Sequence, residues 1–318
     1  MGPAGATVDM RVPKRDELRR KAVGMMSLSL VVGVDGSESS LQAVDWAVDE
    51  AARHGLPLRL VHASRWERYE GGLPFFGTGR PPSGKILAER IAASAMERVT
   101  LRNPDVKACG EALAEDTVTA LLAESREAYA VVTGSHGRGE LAGSLLGSVS
   151  LAVAARAVCP VVVVRGGERN REGAFGRVVL AVGDPAEGSA AARFAFHEAR
   201  ARNAGVQAVR TWLCPAERHA GRTLFAHEAT TLLYEEQATR ILNEVLDPIE
   251  REHDAITCHR DVVEGRAYQV LLDMSEHADL LVVGARRRPD PTGLQLGRVS
   301  HAVLHHCACP VAVVPERL

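Results

Sequence analysis

GSHGRGELAGSLLGSVS, residues 134–150, follows the strand-like run Ala130, Val131, Val132, Thr133. It packs five glycines and four serines into one short span. A strand that ends in a glycine-rich loop and leads into a helix is characteristic of open α/β sheets, whose ligands gather beyond the carboxyl ends of the strands. Amides at the helix start, near Gly147 and Ser148, have no intrahelical partner and carry a positive partial charge. Glycines let such backbone approach an anion closely and supply positive φ. Ser148 adds a hydroxyl, and Arg138 a cationic fork suited to phosphate. Together these favour a phosphate cradle. A surface loop ahead of a capped helix has the same composition, so the loop alone leaves both readings open.

Standard phosphate motifs do not account for it. GLPFFGT at 72–78 has P-loop glycine spacing, but Thr78 stands where the lysine belongs and no strand precedes it. The glycines at 134, 137, 139, 143 and 147 do not form a G-x-G-x-x-G spacing.

The chain of 318 residues is long enough for two domains. Hydrophobic residues make up 46% and charged residues 25%, the composition of a protein with a sizeable core. A net charge of −2 gives no global attraction to nucleic acid or to an anionic membrane. No apolar run reaches the length of a bilayer span. Residues 1–26, MGPAGATVDMRVPKRDELRRKAVGMM, lack the apolar core of a signal peptide and read as a basic, disordered tail, with Met25 or Met26 an alternative start. Six cysteines without an export signal imply reduced thiols and a cytoplasmic location. His305, His306, Cys307 and Cys309 have metal-ligand chemistry, with alternation pointing the two thiols together. Matches this short are usually accidental, so a helix end running into a strand is the preferred reading.

The chain repeats itself. VVGV at 31–34 answers VLAV at 179–182, an offset of 179 − 31 = 148. Val44, Ala47, Val48 and Ala51 recur at that offset as Ala192, Ala195, Phe196 and Ala199, the buried stripe of an amphipathic helix. VVTGS at 131–135 answers LVVGA at 281–285, and CPVVVV at 159–164 answers CPVAVV at 309–314, now at 309 − 159 = 150. The expected organisation is a domain over 27–165, a polar, glycine-bearing and flexible linker over 166–176, and a second domain over 177–318. In the first copy, strands are predicted at 28–34, 58–63, 106–112, 128–133 and 161–165. Helices are predicted at 37–54, 86–99, 118–126 and 148–157, with a Gly- and Pro-rich loop at 70–84. Strands alternating with helices imply right-handed crossovers and a parallel sheet covered on both faces.

Asp35 ends the first strand ahead of Gly36 and Ser37, where a carboxylate could accept from ribose hydroxyls, or could belong to an ordinary capped turn. VVGVDGS and the glycine stretch together resemble the universal stress protein family. Its signature of G-x-x-G, nine residues, then G-[S/T] reads here as Gly134, Gly137, residues 138–146 and Gly147-Ser148. Through the repeat, the resemblance extends from about 28 to 316.

The resemblance implies two Rossmann-like domains, each a five-stranded parallel sheet that binds ATP. Gly33 and Asp35 would meet the adenosine end, and Ala63 would offer backbone to adenine. Gly134, Gly137, Arg138, Gly147, Ser148 and Val149 would surround ribose and phosphates, with Mg2+ held through the phosphates. The implied role is a nucleotide-loaded regulator of survival under stress or growth arrest, acting on an unidentified protein partner. The second copy departs from the signature. Gly284 and Gly297 persist, but Arg287, Arg298 and Gly183 stand at the positions of Gly137, Ser148 and Asp35. An arginine costs roughly 1–2 kcal/mol if that position uses positive φ. Asp184, one residue on, would turn to the other face of a strand. Arg286, Arg287, Arg288 and Arg298 could still catch an anion or form a solvated basic loop. ATP is therefore expected mainly in the first domain.

A nucleotide hydrolase or transferase of related architecture is the alternative, and a pure interaction scaffold a third class. His136 is read as a solvent-facing loop residue, and no acid–base pair accompanies it, so no catalytic residue is assigned. Both copies end in apolar strands, 161–164 and 311–314, with nothing after them to cover the sheet edge. Members of the family pair through this last strand. The two halves are expected to dock through it as a pseudo-dimer, with Val162 and Ala312 as matched positions, and further homodimerisation is left open.

Overall fold

The computed structural model describes residues 28–66, 84–137, 146–214, 224–285 and 296–316. The N-terminal tail, most of the loop at 70–84, Arg138, and Arg286, Arg287 and Arg288 lie outside the described residues. The first half runs β1 (Ser29–Gly33), α1 (Glu38–His54), β2 (Leu58–Ala63), α2 (Gly84–Arg102), β3 (Ala108–Leu113), α3 (Thr117–Glu124), β4 (Ala128–Gly134), α4 (Ser148–Arg156) and β5 (Val161–Val164). After α5 (Glu168–Arg171) the pattern recurs as β6 (Arg177–Ala181), α6 (Pro185–Arg202), β7 (Gly205–Trp212), α7 (Leu224–Glu252), β8 (Cys258–Glu264), α8 (Ala267–Ser275), β9 (Leu280–Ala285), α9 (Arg298–His306) and β10 (Val311–Pro315).

The ten strands of the described residues form one sheet in the order β3-β2-β1-β4-β5-β10-β9-β6-β7-β8. Every neighbouring pair is parallel except β5 with β10, which is antiparallel and registers Ala312 against Val162. The pseudo-dimer expected from the apolar edges is thus formed within the chain. Period-2 alternation gives each strand one residue per face. Leu30, Val32, Val162, Leu180, Val282 and Ala312 pack under α1, α2, α6 and α7. Val31, Val131, Val163, Val179, Val283 and Val311 pack with residues of α3, α4, α8 and α9 on the other face. The predicted stripe of α1, Val44, Ala47, Val48 and Ala51, is buried, as is its counterpart on α6. Among the described residues, no helix is long and apolar enough to cross a membrane.

The linker is not the flexible tether expected. Gly166 lies at φ 82°, and a Cβ there would strike the Ala308 carbonyl. Asn170, 6% exposed, donates from Nδ2 to the carbonyls of Ser275, Glu276 and Ala278 at 3.2, 3.2 and 2.8 Å. These carbonyls close the end of α8, where backbone acceptors lack helical partners. The Asp279 carboxylate accepts from the amides of Phe175 and Arg177 at 2.9 and 3.0 Å. Ordering by contacts from a distant helix overrides the glycine content. Asn170→Ala is expected to cost about 1–2 kcal/mol by stranding buried acceptors. A denaturant midpoint equal to that of the parent would return the segment to the status of a tether.

Candidate functional site

The sheet order places β1 between β2 and β4, so crossovers leave β1 and β4 toward opposite sides and a crevice opens at their carboxyl ends. Gly33 and Asp35 lie at the end of β1, Ala63 closes β2, and Gly134 closes β4 beside them. Asp35 Oδ1 accepts from the Ser37 amide at 2.9 Å and the Ser37 hydroxyl at 2.6 Å. Ser37 is the N-cap of α1 and accepts from the Ser40 amide. The helix is thus capped by Ser37, and Asp35 closes the turn before it. Gly36, at φ 78°, supplies the left-handed residue that this turn requires.

Across the crevice, proximity requires glycine at 134 and leaves little room at 137. A Cβ at Gly134 would lie 2.6 Å from the Ser39 carbonyl oxygen, and one at Gly137 would lie 3.2 Å from Asp35 Oδ2. Gly137 does not use positive φ. The strain reasoned for an arginine at the matching position therefore does not follow from φ; a side chain at 137 would instead crowd the Asp35 carboxylate. A Cβ at Gly33 would come within 3.0 Å of Leu121 Cδ1, so this glycine serves packing against α3.

The start of α4 is stapled to β4. The Gly147 amide donates to Ser135 O at 2.7 Å, and the Ser150 hydroxyl donates to Gly134 O at 2.7 Å. Gly147 is the N-cap of α4 and offers no side-chain cap. Ser148 is exposed and Val149 half-buried at this helix end, which directs amide dipoles toward the crevice. His136 is held rather than solvent-facing. Its amide donates to Ser39 Oγ at 3.2 Å, and its Nδ1 lies 2.8 Å from Ser135 Oγ. Ser39 Oγ also lies 3.3 Å from Ser135 Oγ. The sequence reading passed over this serine network, although the run SESS at 37–40 directly follows the Asp35 turn.

At β2, the Ala63 carbonyl accepts from Thr117 Oγ1 at 2.7 Å, so one of its two lone pairs is engaged. Asp116 caps α3 through the Thr119 amide, which holds its carboxyl below the ordinary range, and pairs with Arg65 at 3.1 Å.

The second half builds this edge differently. Asp184 is the N-cap of α6 rather than a strand residue, so the alternation argument does not apply to it. It pairs with Arg210 at 3.2 Å, and Arg210 Nη1 donates to Val182 O at 3.1 Å. The matching position in the first half is His62, whose Nδ1 lies 2.7 Å from Val34 O. A guanidinium and its own carboxylate partner thus occupy the second edge where the first has Asp35 and an imidazole. Arg298 is the exposed first residue of α9. Cys307 and Cys309 do point together, with Sγ atoms 3.6 Å apart, but among the described residues neither His305 nor His306 joins them in a metal-ligating group.

Comparison with known proteins places these features in context. The sequence profile of the universal stress protein family matches residues 26–165 and again 174–315. Universal stress protein Rv2005c of Mycobacterium tuberculosis is 31% identical over 297 residues, covering 90% of this chain and 97% of its own. A universal stress protein from Archaeoglobus fulgidus shares the fold with a TM-score of 0.60 at 17% identity, over 91% of this chain and 98% of its own. Another solved universal stress protein, in complex with cAMP, is 29% identical and covers 43% of this chain and 95% of its own, with a TM-score of 0.33.

Proposed function

Because the chain belongs to the universal stress protein family, we propose that it is an ATP-loaded cytoplasmic regulator of survival under stress or growth arrest, with the nucleotide held by the first domain. The domains are taken as 27–165 and 177–318, joined by the docked segment between them. The observation that carries the reading is the approach of Gly137 to the Asp35 carboxylate beneath the uncapped start of α4. That arrangement pairs a ribose acceptor with a phosphate-binding helix terminus at one crevice. Gly33 and Asp35 take the adenosine end, and the Ala63 backbone meets adenine. Gly134, Gly137, Arg138, Gly147, Ser148 and Val149 enclose ribose and phosphates, and Mg2+ rides on the phosphates. The Arg210–Asp184 pair argues against an equal site in the second half.

Calorimetric titration with ATP, run against cAMP as competitor, is expected to give one tight ATP per chain. Two equivalent sites would overturn the assignment to one domain, and tighter binding of cAMP would overturn the choice of nucleotide. Turnover faster than about 1 s⁻¹, the low end of ordinary enzymes, would favour the hydrolase or transferase reading instead.

A further inference from the structure

A dense group of titratable side chains lies away from the crevice, where α1 of the first half meets α6 of the second. Glu50 and Glu198 correspond at the repeat offset (198 − 50 = 148), as do His54 and Arg202 (202 − 54 = 148). All four side chains are at most 3% exposed. His54 Nε2 lies 3.1 Å from Glu50 Oε1 and 3.3 Å from Glu198 Oε1, bridging the two helices. The Arg202 guanidinium pairs with Glu50 and approaches Glu198 Oε2 to 3.6 Å. Arg53 adds a 2.9 Å contact to Glu50. Tyr129 of β4 donates to Glu198 Oε1 at 2.8 Å and lies 3.0 Å from His197 Nδ1.

We propose that this cluster is a proton-responsive clasp between the halves, in which protonation of Glu198 within the folded junction tightens the α1–α6 contact. Two carboxylates share a dry space, and like charges there cannot both ionise cheaply. Burial, followed by the Glu50 charge, pushes the Glu198 carboxyl up to about 7. Burial opposes ionisation of Glu50 too, yet Arg202, with Glu198, His54 and Arg53, holds its carboxyl well below the ordinary range. Against the desolvation of burial, hydrogen bonds to Glu198 and Glu50 raise His54 to about 9. The surrounding charges complete the inventory. His197, lowered by burial and by His54, also faces His253, just after α7, and Arg200 of α6, and Asp279, just before β9, acts on Arg202. The ligand atoms of His54, His197 and Glu198 lie within 4.8 Å of one another. Arg53, Arg202 and the imidazolium already set three cations against the two carboxylates, so the set is an ion-pair network rather than a metal centre.

The sign is the same for both raised groups. Glu198 contributes stability below its unfolded value near 4.5 and loses it as pH rises toward about 7. His54 contributes below its unfolded value near 6.5 and loses it as pH rises through about 9. Stability therefore falls from mildly acidic to alkaline pH, by up to about tenfold in the unfolding constant per pH unit for one linked proton. Glu50 acts only on the acid side.

The test is chemical denaturation of the full chain between pH 5 and 9, beside Glu198→Gln, which keeps the hydrogen bonding of the protonated acid. The parent is expected to weaken with rising pH, and Glu198→Gln to flatten the part below about pH 7.5 and to shrink the His54 step to what Glu50 alone sustains. A flat parent profile, or one unchanged by the substitution, would overturn the clasp. If Glu198→Gln does not fold, carbon-13 NMR of the parent's glutamate carboxyls decides. A buried carboxyl titrating near neutrality supports the proposal, and all carboxyls titrating below about 5 defeat it.

Discussion

Replacing Val162 and Ala312 with aspartate together is expected to part the two halves or unfold the chain. The two positions are register partners across the antiparallel β5–β10 seam, at 1% and 0% exposure. Each is flanked on its other side by a further core strand, Val132 for one and Val282 for the other. An unpaired carboxylate in such a place costs several kcal/mol, and two directly opposed add repulsion. Against a stability of about 5–15 kcal/mol for an ordinary domain, that is enough to abolish docking. Small-angle scattering should report an expanded particle. A double variant as compact and as resistant to denaturant as the parent would mean the seam does not hold the halves together.

Loss of the Asp35 carboxylate should have the next largest effect, on binding rather than folding. A charge-assisted hydrogen bond to ribose is worth roughly 1.5–3 kcal/mol, so Asp35→Ala should weaken ATP about tenfold to a hundredfold. Asp35 also accepts from Ser37, so the alanine variant loosens the turn as well. Asp35→Asn keeps an acceptor for the Ser37 amide while removing the charge, which separates the two effects. A folded alanine variant with unchanged affinity would remove Asp35 from the site.

Much of the fold was legible because its signals are local and repeated. The VVGV and CPVVVV runs, met twice at nearly one offset, announce the strands, the two copies and the matched Val162 and Ala312 of the seam. The crevice was legible through Gly134, Gly137 and Asp35, since their spacing relative to strand ends is carried by the chain itself. The condition of positive φ at Gly137 is not met, and its closeness to Asp35 Oδ2 was not legible because it arises only when β1 and β4 lie side by side. The docked linker could not be read from glycine and charge content, since Asn170 acts on carbonyls 105 to 108 residues away. The ionic cluster hid for a related reason. Glu50 and Glu198 look like polar positions on amphipathic helices until two such helices are set against each other. Their correspondence at the repeat offset was the one available signal.

The antiparallel seam also governs how the chain is threaded. Because the halves run in opposite senses, the edge where β5 ends is the edge where β6 begins, three strands across. At about 4.8 Å per strand that gap is roughly 14 Å, within easy reach of the segment between Val164 and Arg177. The same geometry holds on the opposite edge, where β10 ends three strands from the start of β1. The order of the two halves along the polypeptide is therefore arbitrary to the architecture. A circularly permuted chain, opened between the domains and closed by a short bridge from Pro315 to Ser29, would retain every strand pairing described for the natural order.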